Sequence, residues 1–157
     1  MITFARRSLL ALTVVGILAT AFELATESHW NDFQQLIPWF VLAVLAVALV
    51  LTALRRRGAQ LLARTLILVV LGASIYGVYD HISANYDAGP LDYRYADTWD
   101  SLSSSQRFWY AATKQVGPSP PLAPGVLAQT ALLLLIAGFL RKPQAASEVD
   151  TRLTQPA

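Results

Sequence analysis

The chain of 157 residues contains no cysteine. That excludes disulfides, thiolate metal centres and thiol nucleophiles. Histidine is nearly absent too, with only His29 and His81 present, so any metal centre would have to draw on carboxylates. Charged residues make up 14% of the chain, well below the roughly 25% of an ordinary soluble domain. Signatures of catalysis are missing as well. There is no serine nucleophile motif, no H-E-x-x-H, no phosphate-binding loop and no dinucleotide fingerprint. Intramembrane proteolysis by paired aspartates finds no second aspartate at the depth of Asp80. A haem held by His29 and His81 would take one ligand from a loop, whereas axial ligands belong on rigid elements. No cofactor is therefore expected, and the reading is non-enzymatic.

Hydrophobic residues are abundant, at 55%, and they lie in four blocks at about 8–25, 36–54, 61–84 and 122–140. A helix rises about 1.5 Å per residue, so roughly 20 residues cross the hydrocarbon core. The second and fourth blocks meet that length directly. The first and third meet it when Glu23 and Asp80 are counted in. The expected fold is all-α: a polytopic membrane protein with four transmembrane helices in one bundle over residues 1–142, followed by a disordered cytoplasmic tail at 143–157.

Charge gives the threading. Arg6, Arg7, Arg55, Arg56, Arg57, Arg64, Arg141, Lys142 and Arg152 gather at one set of ends, and only Arg94, Arg107 and Lys114 at the other. The acids Glu23, Glu27, Asp32, Asp80, Asp87, Asp92, Asp97 and Asp100 share the second side. By the positive-inside rule both termini and the tight loop around Arg57-Gly58 are cytoplasmic, in a bacterial inner membrane. Basic residues at a membrane edge are explained by anchoring, so no nucleic-acid partner is expected. The expected partners are the lipid bilayer and a larger membrane complex or a second copy of the chain. A competing reading takes Arg6-Arg7, the apolar run and Ala19-Thr20-Ala21 as a cleavable secretory signal. Against it, the first block repeats the pattern of the third.

That repetition is specific. Fifteen uncharged residues lie between Arg7 and Glu23, and fifteen between Arg64 and Asp80. Each acid follows an aromatic residue, Phe22 or Tyr79. Each half then carries a proline expected at the start of its next helix, Pro38 or Pro124, where a missing N–H costs nothing. A tandem repeat of two-helix units would place Glu23 and Asp80 at one depth. Within the helices, Thr13, Gly16, Thr20, Glu23 and Glu27 draw a small or polar stripe, and Ala73, Ser74, Gly77, His81 and Asn85 draw another. Ala43, Ala46 and Ala53 in the second helix, and Gly125 and Gln129 in the fourth, complete the expected contact surfaces. The candidate site is a polar extracytoplasmic mouth of Glu23, Asp80, His81 and Gln129, with Glu27, His29 and Asn85 as secondary candidates. It would hold a small ligand, a cation or a proton.

The long outer connection, 85–121, is rich in tyrosine and tryptophan. Residues 101–116 are expected to form a short interfacial helix with Leu102, Trp109, Ala112 and Val116 on its apolar stripe. The run Gly117-Pro118-Ser119-Pro120-Pro121 ends it.

Four helices with a carboxylate in the first resemble the small multidrug-resistance transporters, in topology and in that one residue type. The chain departs from them in the outer-edge position of Glu23, the long outer loop and the fixed charge bias, all of which speak against coupled exchange. The segment Asp80-His81 to Asn85 and the Pro-Leu-Ala-Pro-Gly entry at 121–125 resemble small four-helix integral membrane proteins of bacteria, a likeness that implies no activity. Two functions follow as expectations. The first is an accessory or assembly subunit that binds a larger membrane complex. The second is a small binding or translocating bundle that uses the polar mouth.

Overall fold

The computed structural model describes residues 1–54 and 56–140, and among them every regular element is helical. Helix α1 spans Ile2–Thr26, α2 Phe33–Leu54, α3 Arg57–Ala88, α4 Ser104–Ala112 and α5 Ala123–Phe139, with single 3-10 turns at Gly89–Leu91 and Trp99–Ser101. Three helices, α1, α2 and α3, are long and apolar enough to cross a membrane, while α5 is a shorter apolar helix. The tail expected at 143–157 lies outside the described residues, as do Arg55, Arg141 and Lys142.

Several elements run further than the hydrophobic blocks. Helix α1 takes in Arg6 and Arg7, and α3 begins at Arg57, so Gly58 lies in its first turn and not in the turn before it. At 32 residues, α3 is about 48 Å long, well beyond the roughly 30 Å of a hydrocarbon core. Helix α2 starts at Phe33, which puts Pro38 inside the helix instead of in its first turn. The residue that opens α2 is Asp32, whose Oδ1 accepts from the Gln35 N–H at 2.9 Å. This N-cap carries the helix back past the proline.

Helix α5 packs against both α1 and α3, and α3 packs against α2, while α1 and α2 meet over a smaller surface. Small residues account for the close contacts. A Cβ on Gly16 would sit 2.5 Å from Thr130 Oγ1, and one on Gly77 would sit 2.9 Å from Pro124. Glycine at these crossings lets the helices approach. The stripe on α1 is thus turned inward at Thr13, Gly16 and Thr20. The surface expected on α2 is corrected: Leu42, Leu45, Ala48 and Thr52 are buried, and Ala43 and Ala53 are exposed. Large side chains fill the ordinary spacing between α2 and α3, where no glycine draws the axes together. On α5 the buried set Leu127, Thr130, Ala131, Leu134 and Ala137 recurs at three- and four-residue steps. Gly125 meets open space.

The two ends differ in charge. At the basic end, Arg6 Nη2 donates to the Thr52 carbonyl at 2.7 Å, and Gln60 Nε2 donates to the carbonyls of Leu51 at 3.2 Å and Thr52 at 2.9 Å. A helix leaves its last four carbonyls without intrahelical partners, and these two side chains serve those of α2. Arg64 of α3 lies over the Phe139 ring of α5, 4.5 Å from its centroid.

At the opposite, acidic end the connections are ordered. Helix α1 closes in a Schellman motif: His29 N–H donates to the Leu24 carbonyl at 2.9 Å and Ser28 N–H to that of Ala25 at 3.2 Å, with Ser28 at φ 51°. Trp39 Nε1 donates to the His29 carbonyl at 2.8 Å. The long connection folds as a cap on the far turns of α3, with its own core of Trp99, Ala111 and Val116 packed by Ile82, Tyr86 and Tyr110. Trp99 covers Gly89 and meets Tyr86 edge-on at 5.7 Å between centroids. The helix expected at 101–116 is shorter, nine residues opened by a Ser103–Gln106 capping box. It ends in a second Schellman turn, with Lys114 at φ 56°. Its buried residue is Ala111, and Trp109 is exposed. The stripe read in the sequence is thus met in part: Val116 is buried in the cap core and Leu102 packs against it, while Ala111 takes the inward place expected of Trp109.

Candidate functional site

A cleft of about 470 Å³ opens at the acidic end between α1, α2, α3, the start of α5 and the cap. Its floor is Thr20, Val41, Ser74 and Leu127, and its polar wall includes Glu23, Glu27, His29, Asp80, His81 and Lys114. Five of the seven residues singled out in the sequence thus line one cleft. Glu23 and Glu27 are exposed within it, and His29, Asp80 and His81 are half-buried. Asp32 also lines it, with its Oδ1 engaged in capping α2.

Two expected members are placed elsewhere. Gln129 is exposed on the face of α5 opposite Leu127 and Ala131, because helical periodicity puts it about 200° from Ala131. Asn85 is fully buried, and its polar atoms are committed within the protein. Its Nδ2 donates to the carbonyls of Ala111 at 3.1 Å and Ser119 at 2.7 Å, and its Oδ1 accepts from the Ser119 N–H at 2.9 Å. The chain can pass this close only at Gly117, whose φ is +77° and where a Cβ would lie 2.6 Å from Asn85 Cα. Asn85 therefore clamps the segment that forms the cap-side wall of the cleft. It is a positioning residue and not a ligand.

His81 is oriented by that wall. Its Nδ1 lies 2.8 Å from the Pro120 carbonyl. A carbonyl can only accept, so Nδ1 carries the hydrogen and the neutral ring keeps its lone pair on Nε2. The buried hydroxyls of Thr13, Ser74 and Thr130 each bond a carbonyl one turn back. Thr20 differs: its Oγ1 is buried without a partner. Among the described residues Glu23, Glu27 and Asp80 form no salt bridge. Nor does any group of three or more His, Asp or Glu side chains among them come close enough to hold a metal ion. The cleft offers carboxylates and lone pairs for hydrogen-bonding a ligand.

One strong ion pair lies outside the cleft. Arg94 grips Asp92 with two bonds, Nε to Oδ1 at 2.9 Å and Nη2 to Oδ2 at 2.7 Å, and also donates to the Gln115 carbonyl. Hydrogen bonding from Arg94 lowers the Asp92 carboxyl to about 2, and the same bonds raise the Arg94 guanidinium above its ordinary value. The pair ties the start of the cap to its end.

Residues that sequence reading passed over are Gln60, the capping role of Arg6, Gly117 and the Asp92–Arg94 pair. The signal for Gly117 was a glycine immediately ahead of a proline-rich run. Arg6 carries no local signature, since its partner lies 46 positions away; Asp92 and Arg94 are two positions apart, and what the sequence hides is the reach of Arg94 to the Gln115 carbonyl.

A scan against protein-family models, a search of curated proteins and a search of solved structures each found no match to this chain.

Proposed function

We propose that the chain is a small, non-enzymatic accessory or interaction subunit of the bacterial inner membrane. In this reading α1, α2, α3 and α5 cross the bilayer as a four-helix bundle, with both termini cytoplasmic and the cap outside. Helix α5 has 17 residues, the lower limit for a span. Its pairing with α1 and α3 along its length supports counting it with them. Gathering Arg6, Arg7, Arg57 and Arg64 at one end and the acids at the other supports the orientation.

The observation that carries the interaction role is the cap. It is a folded unit with its own core, yet it presents large apolar side chains outward: Leu91 is 86% exposed, Tyr93 91% and Trp109 61%. Aromatic residues are enriched at contact surfaces and at membrane interfaces. On this reading α4 lies at the outer interface with Phe108 and Trp109 toward lipid headgroups, and Leu91 and Tyr93 meet a membrane partner. Affinity purification in mild detergent, followed by mass measurement of the intact particle, tests it. A stoichiometric partner that is lost on Leu91→Ser/Tyr93→Ser is the expected result, and a particle holding one chain alone overturns it.

A second reading is favoured by the cleft itself, which draws Glu23, Asp80 and His81 together. It is a small bundle that binds or translocates a cation, a proton or a small ligand at its outer mouth. Separate Glu23→Gln, Asp80→Asn and His81→Gln variants test it. Loss of the cellular phenotype in folded variants supports this reading, and three folded variants with full activity remove it.

A further inference from the structure

The cleft at the acidic end is lined by four acids, Glu23, Glu27, Asp32 and Asp80, and by one lysine, Lys114. Walls of one sign raise the local concentration of the opposite charge, so the cleft favours a cation. A second observation comes from Thr20, which lines the same cleft and is 6% exposed. Its Oγ1 is buried without a hydrogen-bond partner, whereas the hydroxyls of Thr13, Ser74 and Thr130 are bonded to carbonyls one turn back. Thr20 is therefore not locked in place. A helical threonine divides between two χ1 rotamers, so one side-chain rotation turns this hydroxyl toward the cleft. A buried hydroxyl left unbonded is costly, and a ligand donor would relieve it.

Three features narrow the cation. First, no group of three or more His, Asp or Glu side chains among the described residues is close enough to hold a metal ion. Second, about 470 Å³ is the size of a small-molecule pocket, and Leu24, Val41 and Leu127 give it an apolar side that a bare ion would not use. Third, quaternary ammonium groups are held by aromatic cages, and Tyr76 is the only tyrosine, phenylalanine or tryptophan on the described lining. The wall instead carries acceptors: carboxylate oxygens and the neutral His81 ring. Acceptors suit a cation that has N–H groups to donate.

We infer that the cleft binds a primary ammonium group borne on an apolar body. The cleft is that of the second reading above, and the ligand rests on that reading. Glu23 and Asp80 supply the counter-charge. Thr20, one turn below Glu23 on the same face of α1, accepts an N–H at the floor, and the apolar body lies against Leu24, Val41 and Leu127. A free alkylamine and the ethanolamine headgroup of a phospholipid both offer this chemistry.

The full chain in a nonionic detergent is titrated with hexylammonium, hexyltrimethylammonium and hexanol, followed by calorimetry and thermal unfolding. Hexylammonium should bind about tenfold more tightly than hexyltrimethylammonium, as one hydrogen bond to a charged group implies. Glu23→Gln and Asp80→Asn should each weaken it about tenfold, and Lys114→Gln should strengthen it. Glu23 is exposed, so its variant keeps a folded chain even where Asp80→Asn does not. Thr20→Val should weaken binding about fivefold without lowering the melting temperature, since the hydroxyl has no bond in the fold to lose. Equal binding of the primary and quaternary cations, full affinity in Glu23→Gln, or a Thr20→Val chain that loses stability but not affinity overturns the site. Native mass spectrometry separates the sources: retention of phosphatidylethanolamine over phosphatidylcholine, lost in Glu23→Gln, identifies the lipid, and equal retention identifies a free amine. Hexanol bound as tightly as hexylammonium would remove the ammonium and leave a ligand cleft. Silence from every probe, with the phenotype intact in folded Glu23, Asp80 and His81 variants, would remove the second reading itself.

Discussion

The two ends of this molecule treat their charges in opposite ways. At the basic end Arg6 is 8% exposed and Gln60 6%, and both are spent on the carbonyls that terminate α2. At the acidic end Glu23, Glu27 and Asp80 have no ion-pair partner among the described residues, and the surrounding order is supplied by neutral groups: Asn85, the Pro120 carbonyl and the Trp39 indole. Polar side chains close the last turn of α2 at one end, whereas the carboxylates of the cleft at the other are left available. A charge in a membrane protein therefore marks a site only after its bonds within the fold have been counted.

The strongest way to break this contrast is at the clamp. Asn85→Ala should leave the Ser119 carbonyl and N–H without their partner, each worth about 1–3 kcal/mol when buried, and should remove one of the two bonds to the Ala111 carbonyl, which keeps the Lys114 N–H. The cap should detach from α3 before the helices part. Limited proteolysis within 89–121 and melting in detergent would show it, and an unchanged cleavage pattern would refute the clamp. The matching change at the basic end, Gln60→Ala, should cost about 1–2 kcal/mol by exposing the end of α2. The loss should be global, with no gain in cap cleavage.

Acid should weaken the cap selectively. The Asp92 carboxyl is lowered to about 2 by Arg94, below its ordinary value near 4. A depressed folded value means that the stabilisation is complete above about pH 4 and fades as pH falls toward 2. Cap protection from proteolysis at pH 5 and pH 2.5 should therefore differ in the wild-type chain and converge in Asp92→Asn. The smallest effect expected is a gain. Ser28 and Lys114 hold left-handed backbone at the two Schellman turns, where glycine carries no Cβ penalty. Ser28→Gly or Lys114→Gly should raise stability by up to about 1 kcal/mol, partly offset by the freer unfolded chain. A fall in melting temperature would show that the side chains matter more than the strain.

Much of the helical plan was legible because it is written in composition and period. The apolar blocks locate α1, α2, α3 and α5, and the stripe Thr13, Gly16, Thr20 on α1 is turned inward as its spacing implies, with Gly16 against Thr130 of α5. Hydropathy also finds five members of the cleft through the interruptions at Glu23 and Asp80. It fails where polar residues continue a helix. Asp32 caps α2 ahead of Pro38, and α3 runs through His81 and Asn85 to Ala88, because a helix needs only satisfied backbone and a packed side, not a hydrophobic one. The orientation of Gln129 was missed for a related reason. A single polar residue in an apolar helix does not reveal which face is buried, and Thr130 beside it, met by Gly16, is the residue turned inward. Of the cap core only Leu102 and Val116 were legible; Trp99 and Ala111 were hidden because they share no period with them, and contacts between loops leave no periodic trace.

The unbroken length of α3 has a mechanical consequence. One helix of about 48 Å joins the arginines at its first turn to the cap at its last, with no proline to bend it. Transmembrane helices tilt readily to match bilayer thickness. Pivoting such a rod by about 10° around its arginine end would swing the cap sideways by roughly 8 Å. In the proposed orientation the helix would act as a lever, turning a change in membrane thickness into a displacement of everything mounted on its far end.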